Sequence, residues 1–399
     1  MSVTYPAGFT ASGVTAGFKA SGRPDLGLLV GVPGTVAAGL FTTNRVAASP
    51  VGLSRARLAA GVPRAVVVNS GQANAATGSA GDADALASTE FVSLAMGLDP
   101  DDLLQCSTGV IGEPLHLDLF EDAAAKLVAS LDPGGGDAFA RSIMTTDTVD
   151  KQARADAPDE RIRVGGCAKG VGMIAPDLAT MLAFVTTDAV VPARDLHRIA
   201  QEQLASRFNA LTVDGCTSTN DTVLLFASGA AGGAPVAPGS AAWVHLSEAV
   251  AKVGESLVRQ LAADAEGGTH VLIVEVTGAD ADQDARVIAK AVADSPLVKT
   301  AVFGGDPNPG RVLQAVGASG IPVDPDRLDV WFGDAQLATG GVIAPDYFTG
   351  GEVAETARSH MHDPDVHIRV RVGDGHGKSR ALGCDLSYDY VRINGEYTT

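Results

Sequence analysis

Gly165-Gly-Cys-Ala-Lys-Gly-Val-Gly-Met-Ile-Ala-Pro-Asp-Leu-Ala-Thr-Met-Leu-Ala-Phe-Val185 begins glycine-rich and ends as an apolar, strand-like run. Glycines around a lysine invite comparison with a phosphate-binding loop, and the comparison fails twice. Lys169 is followed by glycine rather than serine or threonine, and the segment leads into an apparent strand instead of a helix. What is left is a permissive glycine backbone, a bend at Pro176 and a small-residue step, Ala179-Thr180, at the mouth of a strand.

On either side of this stretch the chain alternates. Short apolar runs at 65–68, 182–185, 222–226 and 271–276 read as buried strands. Residues 82–96, 117–131, 193–205 and 242–263 space their apolar side chains three and four apart, as one-sided helices do. Such alternation predicts a mixed α/β architecture. Asp132-Pro-Gly-Gly-Gly-Asp137 and residues 229–240 read as turns or loops, neither long enough to link domains. With 399 residues, the chain exceeds the size at which one core keeps growing. Two units are expected, 1–278 and 279–399, with the boundary near Gly278, after which the chain reads helix, strand and then strand-rich sequence through 365–372.

Hydrophobic residues are 46% and charged ones 19%, the profile of a folded chain rather than a disordered one. A net charge of −18 leaves no basic stripe to neutralise phosphates, which argues against nucleic acid and anionic membranes as partners and for a small-molecule substrate. The N-terminus has no basic region followed by an apolar core, and no apolar run approaches eighteen residues, so the reading is cytoplasmic. Cys106, Cys167, Cys216 and Cys384 form no CxxC pair or zinc spacing and are expected to be reduced thiols. His360-x-His362 with Asp363 and His367 reads as a polar surface loop. Asp280-x-Asp282-x-Asp284 has Ala285 where a calcium loop needs glycine and Ala291 at its twelfth position, so it reads as a helix N-terminus. No metal is predicted.

A threonine preceded by a bend and flanked by small residues is chemically able to attack its own preceding carbonyl. Cleavage would free an α-amine whose ordinary pKa, about 7.7–8.0, suits it as general base for the same residue's hydroxyl. Spacing alone favours the plainer reading of Thr180 as a strand-entry threonine.

The segment KGVGMIAPDLATMLAF resembles the processing site of the ornithine acetyltransferase family, the bifunctional acetyltransferases of arginine biosynthesis. Further matches follow in the family's order: GFTASGVTAGFKASG from Gly8, FTTNRVAASPV from Phe41, NSGQANA from Asn69, CSTGVIG from Cys106 and IMTTD from Ile143. DGCTSTNDT from Asp214, ADAEG from Ala263 and VKTAVFGGDPNPGR from Val298 complete the span. The resemblance implies a mixed-sheet sandwich with helices on its outer faces, of the N-terminal-nucleophile-like type shared by DmpA and the ornithine acetyltransferases. It also implies a smaller C-terminal α/β domain whose tail returns to the active site.

Members of this family cut themselves, here between Ala179 and Thr180, into chains 1–179 and 180–399 that stay together, and they assemble as α2β2 heterotetramers. They move acetyl from N2-acetylornithine to glutamate through an acetyl-threonine in ping-pong fashion, and bifunctional members also use acetyl-CoA. Whether acetyl-CoA serves this chain as co-substrate stays open; no cofactor is expected. By resemblance Thr180 is the nucleophile, Thr108 and Gly109 form the oxyanion hole, and Thr145, Lys169, Thr180, Glu266, Asn394 and Thr399 contact substrate. Asp214 to Asp221 suits a polar active-site wall or a hydrogen-bonded turn behind the reacting groups. Two departures stand out: Pro309 where the family commonly has tryptophan, and Ala76 where it commonly has cysteine. The alternative enzyme class is an N-terminal-nucleophile amidase or aminopeptidase, which would release its product to water. A third reading makes Thr180 structural and the protein a binding module.

Overall fold

Residues 65–68 are apolar without alternation because the strand that they form is covered on both faces, the signature of a layered molecule. The computed structural model describes residues 2–158, 161–175 and 181–396. Its strands are β1 (Phe9–Val14), β2 (Leu26–Gly31), β3 (Val36–Phe41), β4 (Ala65–Gln72), β5 (Leu103–Val110), β6 (Lys151–Asp156), β7 (Arg163–Lys169) and β8 (Leu182–Thr187). There follow β9 (Thr222–Ala227), β10 (Val271–Ala279), β11 (Asp329–Phe332), β12 (Ala335–Thr339), β13 (Val342–Ile343), β14 (Asp365–Arg371) and β15 (Gly377–Cys384).

Three sheets result, ordered β1-β2-β4-β5, β3-β9-β8-β7-β6 and β13-β12-β11-β14-β10-β15. Each is mixed: β4·β5, β8·β9 and β10·β14 run parallel among antiparallel neighbours. The first two sheets face each other across Phe9, Leu29, Val66, Val68, Leu104, Phe184 and Phe226. Their other faces are covered by helices. Leu28, Val67 and Leu103 pack under Gly78–Met96 and Leu117–Ala129. Val164, Ala183 and Leu225 pack under Ala193–Ile199 and Ala241–Ala263. This is the expected sandwich with helices outside. The third sheet builds its own core with helices Asp282–Asp294, Pro309–Gly317 and Glu352–His360. Its strand β10 begins at Val271, so Gly278 lies inside that strand.

Several local expectations meet a physical cause. The acidic run at 280–284 lies at the start of helix Asp282–Asp294, where carboxylates favour exposed amides. Pro309 occupies the first turn of its helix, a position that needs no amide, and Asn308 caps it by accepting from the Arg311 amide at 3.0 Å. Ala76 sits in the left-handed region at φ 58°. The glycine-rich start of the decisive stretch is itself strand: Gly165 and Gly166 lie within β7. A Cβ on Gly165 would fall 1.9 Å from the Ser2 carbonyl oxygen, so close backbone approach explains a residue of low strand propensity there. All four cysteines are free thiols, Cys216 alone being exposed.

Candidate active site

One cleft of about 160 Å³ opens where the ends of β5 and β7 meet the loops before β9 and after helix Ala241–Ala263. That volume suits a small metabolite. Its lining includes Thr108, Gly109, Thr145, Lys169, Glu266 and Asn394, six residues from five separate segments of the chain. Ala179, Thr180 and Thr399 lie outside the described residues; Met181, which follows Thr180, is buried, and its amide donates to Asp221.

The β4·β5 pairing brings Asn69 opposite Ser107 and Gly71 opposite Gly109. Gly109 has φ 135°, and a Cβ there would come within 2.2 Å of the Gly71 carbonyl, so only glycine lets the two strand ends close on each other. Asn220 ties the wall together, its Nδ2 donating to the carbonyls of Ala73 at 2.6 Å and Ser107 at 2.8 Å. The buried Lys169 donates from Nζ to Thr108 Oγ1 at 2.9 Å. An ammonium only donates, so Thr108 must accept, and its own hydroxyl hydrogen is free for another acceptor. Burial lowers the Lys169 pKa, while Asp147, Glu266 and Asp221 counter it by favouring the charged form.

Across the cleft, Glu266 Oε1 accepts from the Thr146 hydroxyl at 2.9 Å and Oε2 from Asn394 Nδ2 at 3.0 Å. Its amide donates to the Val171 carbonyl at 2.8 Å, and a Cβ on Gly172 would strike Oε2 at 2.3 Å. Asn394 belongs to helix Tyr388–Glu396, whose Tyr390 hydroxyl donates to Asp214 Oδ2 at 3.2 Å. Asp214 also accepts from the amides of Met173 at 2.6 Å and Ile174 at 2.9 Å, and Met173 sits at φ 55°. The cleft therefore presents a cation on one side and a carboxylate on the other, with hydroxyls between them.

Sequence reasoning placed Asp214 to Asp221 behind the reacting groups. The structure puts Asp214, Cys216, Ser218, Thr219 and Asn220 on the cleft wall itself. It also reveals Asp221, which the motif contained but no role singled out. Asp221 is fully buried; Oδ1 accepts from the Met181 amide at 2.8 Å, and Oδ2 has no hydrogen-bond partner among the described residues. Burial raises its pKa well above the carboxylate range, against the pull of the Met181 amide, Lys169 and Ser218. Among the described residues no group of three His, Cys, Asp or Glu side chains could hold a metal ion, and no helix is long and apolar enough to cross a membrane.

The sequence model of the ArgJ family matches residues 10–399. The arginine biosynthesis bifunctional protein ArgJ of Thermosynechococcus vestitus is 44% identical over 409 residues, covering 100% of this chain and 98% of the relative. That of Symbiobacterium thermophilum is 45% identical over 401 residues, with the same coverage of 100% and 98%. A crystal structure of arginine biosynthesis bifunctional protein argJ from Bacillus halodurans aligns with a TM-score of 0.51 at 39% identity, covering 54% of this chain and 98% of that one.

Proposed function

The chain belongs to the ArgJ family and is thereby an acyltransferase of arginine biosynthesis, and we propose that it is a self-cleaving glutamate N-acetyltransferase working through an acetyl-Thr180 intermediate. The observation that carries this reading is the meeting of Thr108, Gly109, Thr145, Lys169, Glu266 and Asn394 around one small cleft. In the maturation step the Thr180 hydroxyl adds to the Ala179 carbonyl, the carbon–nitrogen bond breaks, and water hydrolyses the resulting ester. The products are a chain ending at Ala179 and a chain that begins with the amine of Thr180.

In turnover that amine takes the proton of its own hydroxyl as Thr180 Oγ attacks the acetyl carbonyl of N2-acetylornithine. The oxyanion is met by the Thr108 hydroxyl, left free to donate because Lys169 donates to its oxygen, and by the backbone at Gly109. Ornithine leaves with its nitrogen protonated, and the acetyl group stays on Thr180. Glutamate then enters, and its amine takes the acetyl group, regenerating the hydroxyl. Glu266 suits the side-chain ammonium of ornithine, and Lys169 suits a substrate carboxylate. Asn394 and Thr399 contact substrate from the tail. Acetyl-CoA would serve as an alternative donor to the same Thr180, with no cofactor or metal required. An α2β2 assembly in the cytoplasm completes the proposal.

Intact mass of the purified protein should show two chains, starting at Met1 and Thr180, and Thr180→Ala should give one chain without turnover. Incubation with N2-acetylornithine should yield N-acetylglutamate only when glutamate is present. Glutamate-independent hydrolysis as the main reaction would replace the transferase with the amidase reading.

A further inference from the structure

Lys151 is completely buried, with its ammonium between two carboxylates: 2.7 Å from Asp147 Oδ1 and 2.6 Å from Asp264 Oδ2. The carbonyl of Val149 completes its partners at 3.2 Å. Three charges taken out of water are a weak source of stability, because desolvation offsets most of their attraction. What the triad holds is therefore more telling than what it contributes to folding.

Asp147 Oδ2 accepts from the Thr145 amide at 3.0 Å, and Oδ1 also accepts from the Gly170 amide at 2.8 Å, one residue beyond Lys169. Asp264 accepts from the Thr148 amide at 3.0 Å and from its hydroxyl, two residues before Glu266. Three chain segments, carrying Thr145, Lys169 and Glu266, thus hang from one buried cation. The groups that act on the Lys169 charge are Asp147, Glu266 and Asp221, which favour it, and Lys151 and Lys19, which oppose it. Asp147 is the strongest of the favourable ones, and the charges of Lys169 and Lys151 in turn lower its own pKa against the effect of burial.

We propose that Lys151 is a positioning residue for amino-acid recognition: through Asp147 and Asp264 it fixes the separation between the Lys169 ammonium and the Glu266 carboxylate. That separation selects substrates by the distance between their own carboxylate and ammonium. Asp147 has the second task of keeping Lys169 charged. The inference rests on the acetyl-transfer reading above and names the selection rule of that same site.

The test compares wild-type enzyme with Lys151→Met, Lys151→Arg, Asp147→Asn and Asp264→Asn, each checked for folding, with N2-acetylornithine and its one-methylene-longer analogue N2-acetyllysine as donors to glutamate. Lys151→Met should raise KM for N2-acetylornithine about tenfold with little change in kcat, and should collapse the preference over N2-acetyllysine. Lys151→Arg should recover part of that preference. Asp147→Asn should move the alkaline limb of kcat/KM to lower pH by about one unit, since it removes a carboxylate that raises the Lys169 pKa. Asp264→Asn should raise KM while leaving that limb in place. These two variants decide the matter if Lys151→Met does not fold. Folded variants with wild-type KM, donor preference and pH limb would overturn the proposal alone. A cleaved wild-type protein that acetylates no glutamate would overturn the functional reading beneath it.

Discussion

Gly267→Ala should pry the C-terminal helix from the cleft and expose what that helix contributes. Gly267 has φ 69°, and a Cβ there would lie 2.3 Å from the Tyr390 amide nitrogen and 2.9 Å from the Asp389 carbonyl carbon. Alanine in the left-handed region costs about 1 kcal/mol before any contact is counted. Relief of the contact requires the neighbour to retreat by roughly 1 Å, to the separation of ordinary packed atoms. Helix Tyr388–Glu396 can retreat because none of its residues is buried. It is held by Tyr390 on Asp214, Asn394 on Glu266 and the edge of Tyr388 against Phe303 at 5.6 Å. Asn394 is also a proposed substrate contact, and a hydrogen bond to a charged group is worth about 1.5–3 kcal/mol, so displacing it corresponds to a KM about tenfold or more higher. The expected result is a raised KM for N2-acetylornithine, near-normal self-cleavage, and faster amide exchange confined to residues 388–396. Unchanged KM together with unchanged exchange would refute the reading that this helix forms part of the substrate site.

Asp221→Asn keeps an acceptor for the Met181 amide but removes a buried carboxyl. Because the folded pKa of Asp221 lies above its unfolded value near 3.9, the wild-type protein should lose stability relative to the variant as pH rises from about 4 towards the folded pKa. Chemical denaturation across pH reads this, and a constant difference would contradict it; slower precursor cleavage in the variant should accompany it. Gly109→Ala places a Cβ into the Gly71 carbonyl and should lower kcat roughly a hundredfold, the scale of a lost oxyanion donor, with KM changed far less. A raised KM with kcat unchanged would assign Gly109 to binding instead.

The sandwich was legible wherever an element's pattern was local. Residues 242–263 announced a helix by spacing, and Ala241–Ala263 is that helix; 222–226 announced a strand, and Thr222–Ala227 is that strand. Gly165 and Gly166 could not be assigned to a strand from their own pattern, because Gly165 is pressed by the Ser2 carbonyl, a contact across 163 residues of chain that no window sees, and Gly166 by Val253 and Phe184. The same holds for the site. Lys169 and Glu266 came from resemblance, and each alone would have passed for a surface charge. Their supports, Asp147, Lys151 and Asp264, lie inside or beside recognised motifs, yet their role exists only once β6, the loop before it and the end of a distant helix are brought together. Asp221 was hidden likewise, since its partner is a backbone amide 40 residues away.

The order β3-β9-β8-β7-β6 has a consequence for any molecule cut between residues 179 and 180. Strands β8 and β9 would then belong to one polypeptide and be enclosed by β3 on one side and β7 on the other, both from its partner. Neither piece could keep this five-stranded sheet whole alone, so opening the molecule would turn a unimolecular process into a dissociation. Denatured mature protein would have to find its other half in solution, and recovery should fall on dilution, whereas uncut Thr180→Ala protein should refold independently of concentration. Maturation would thus fix the molecule in a state reached with the two halves still tethered.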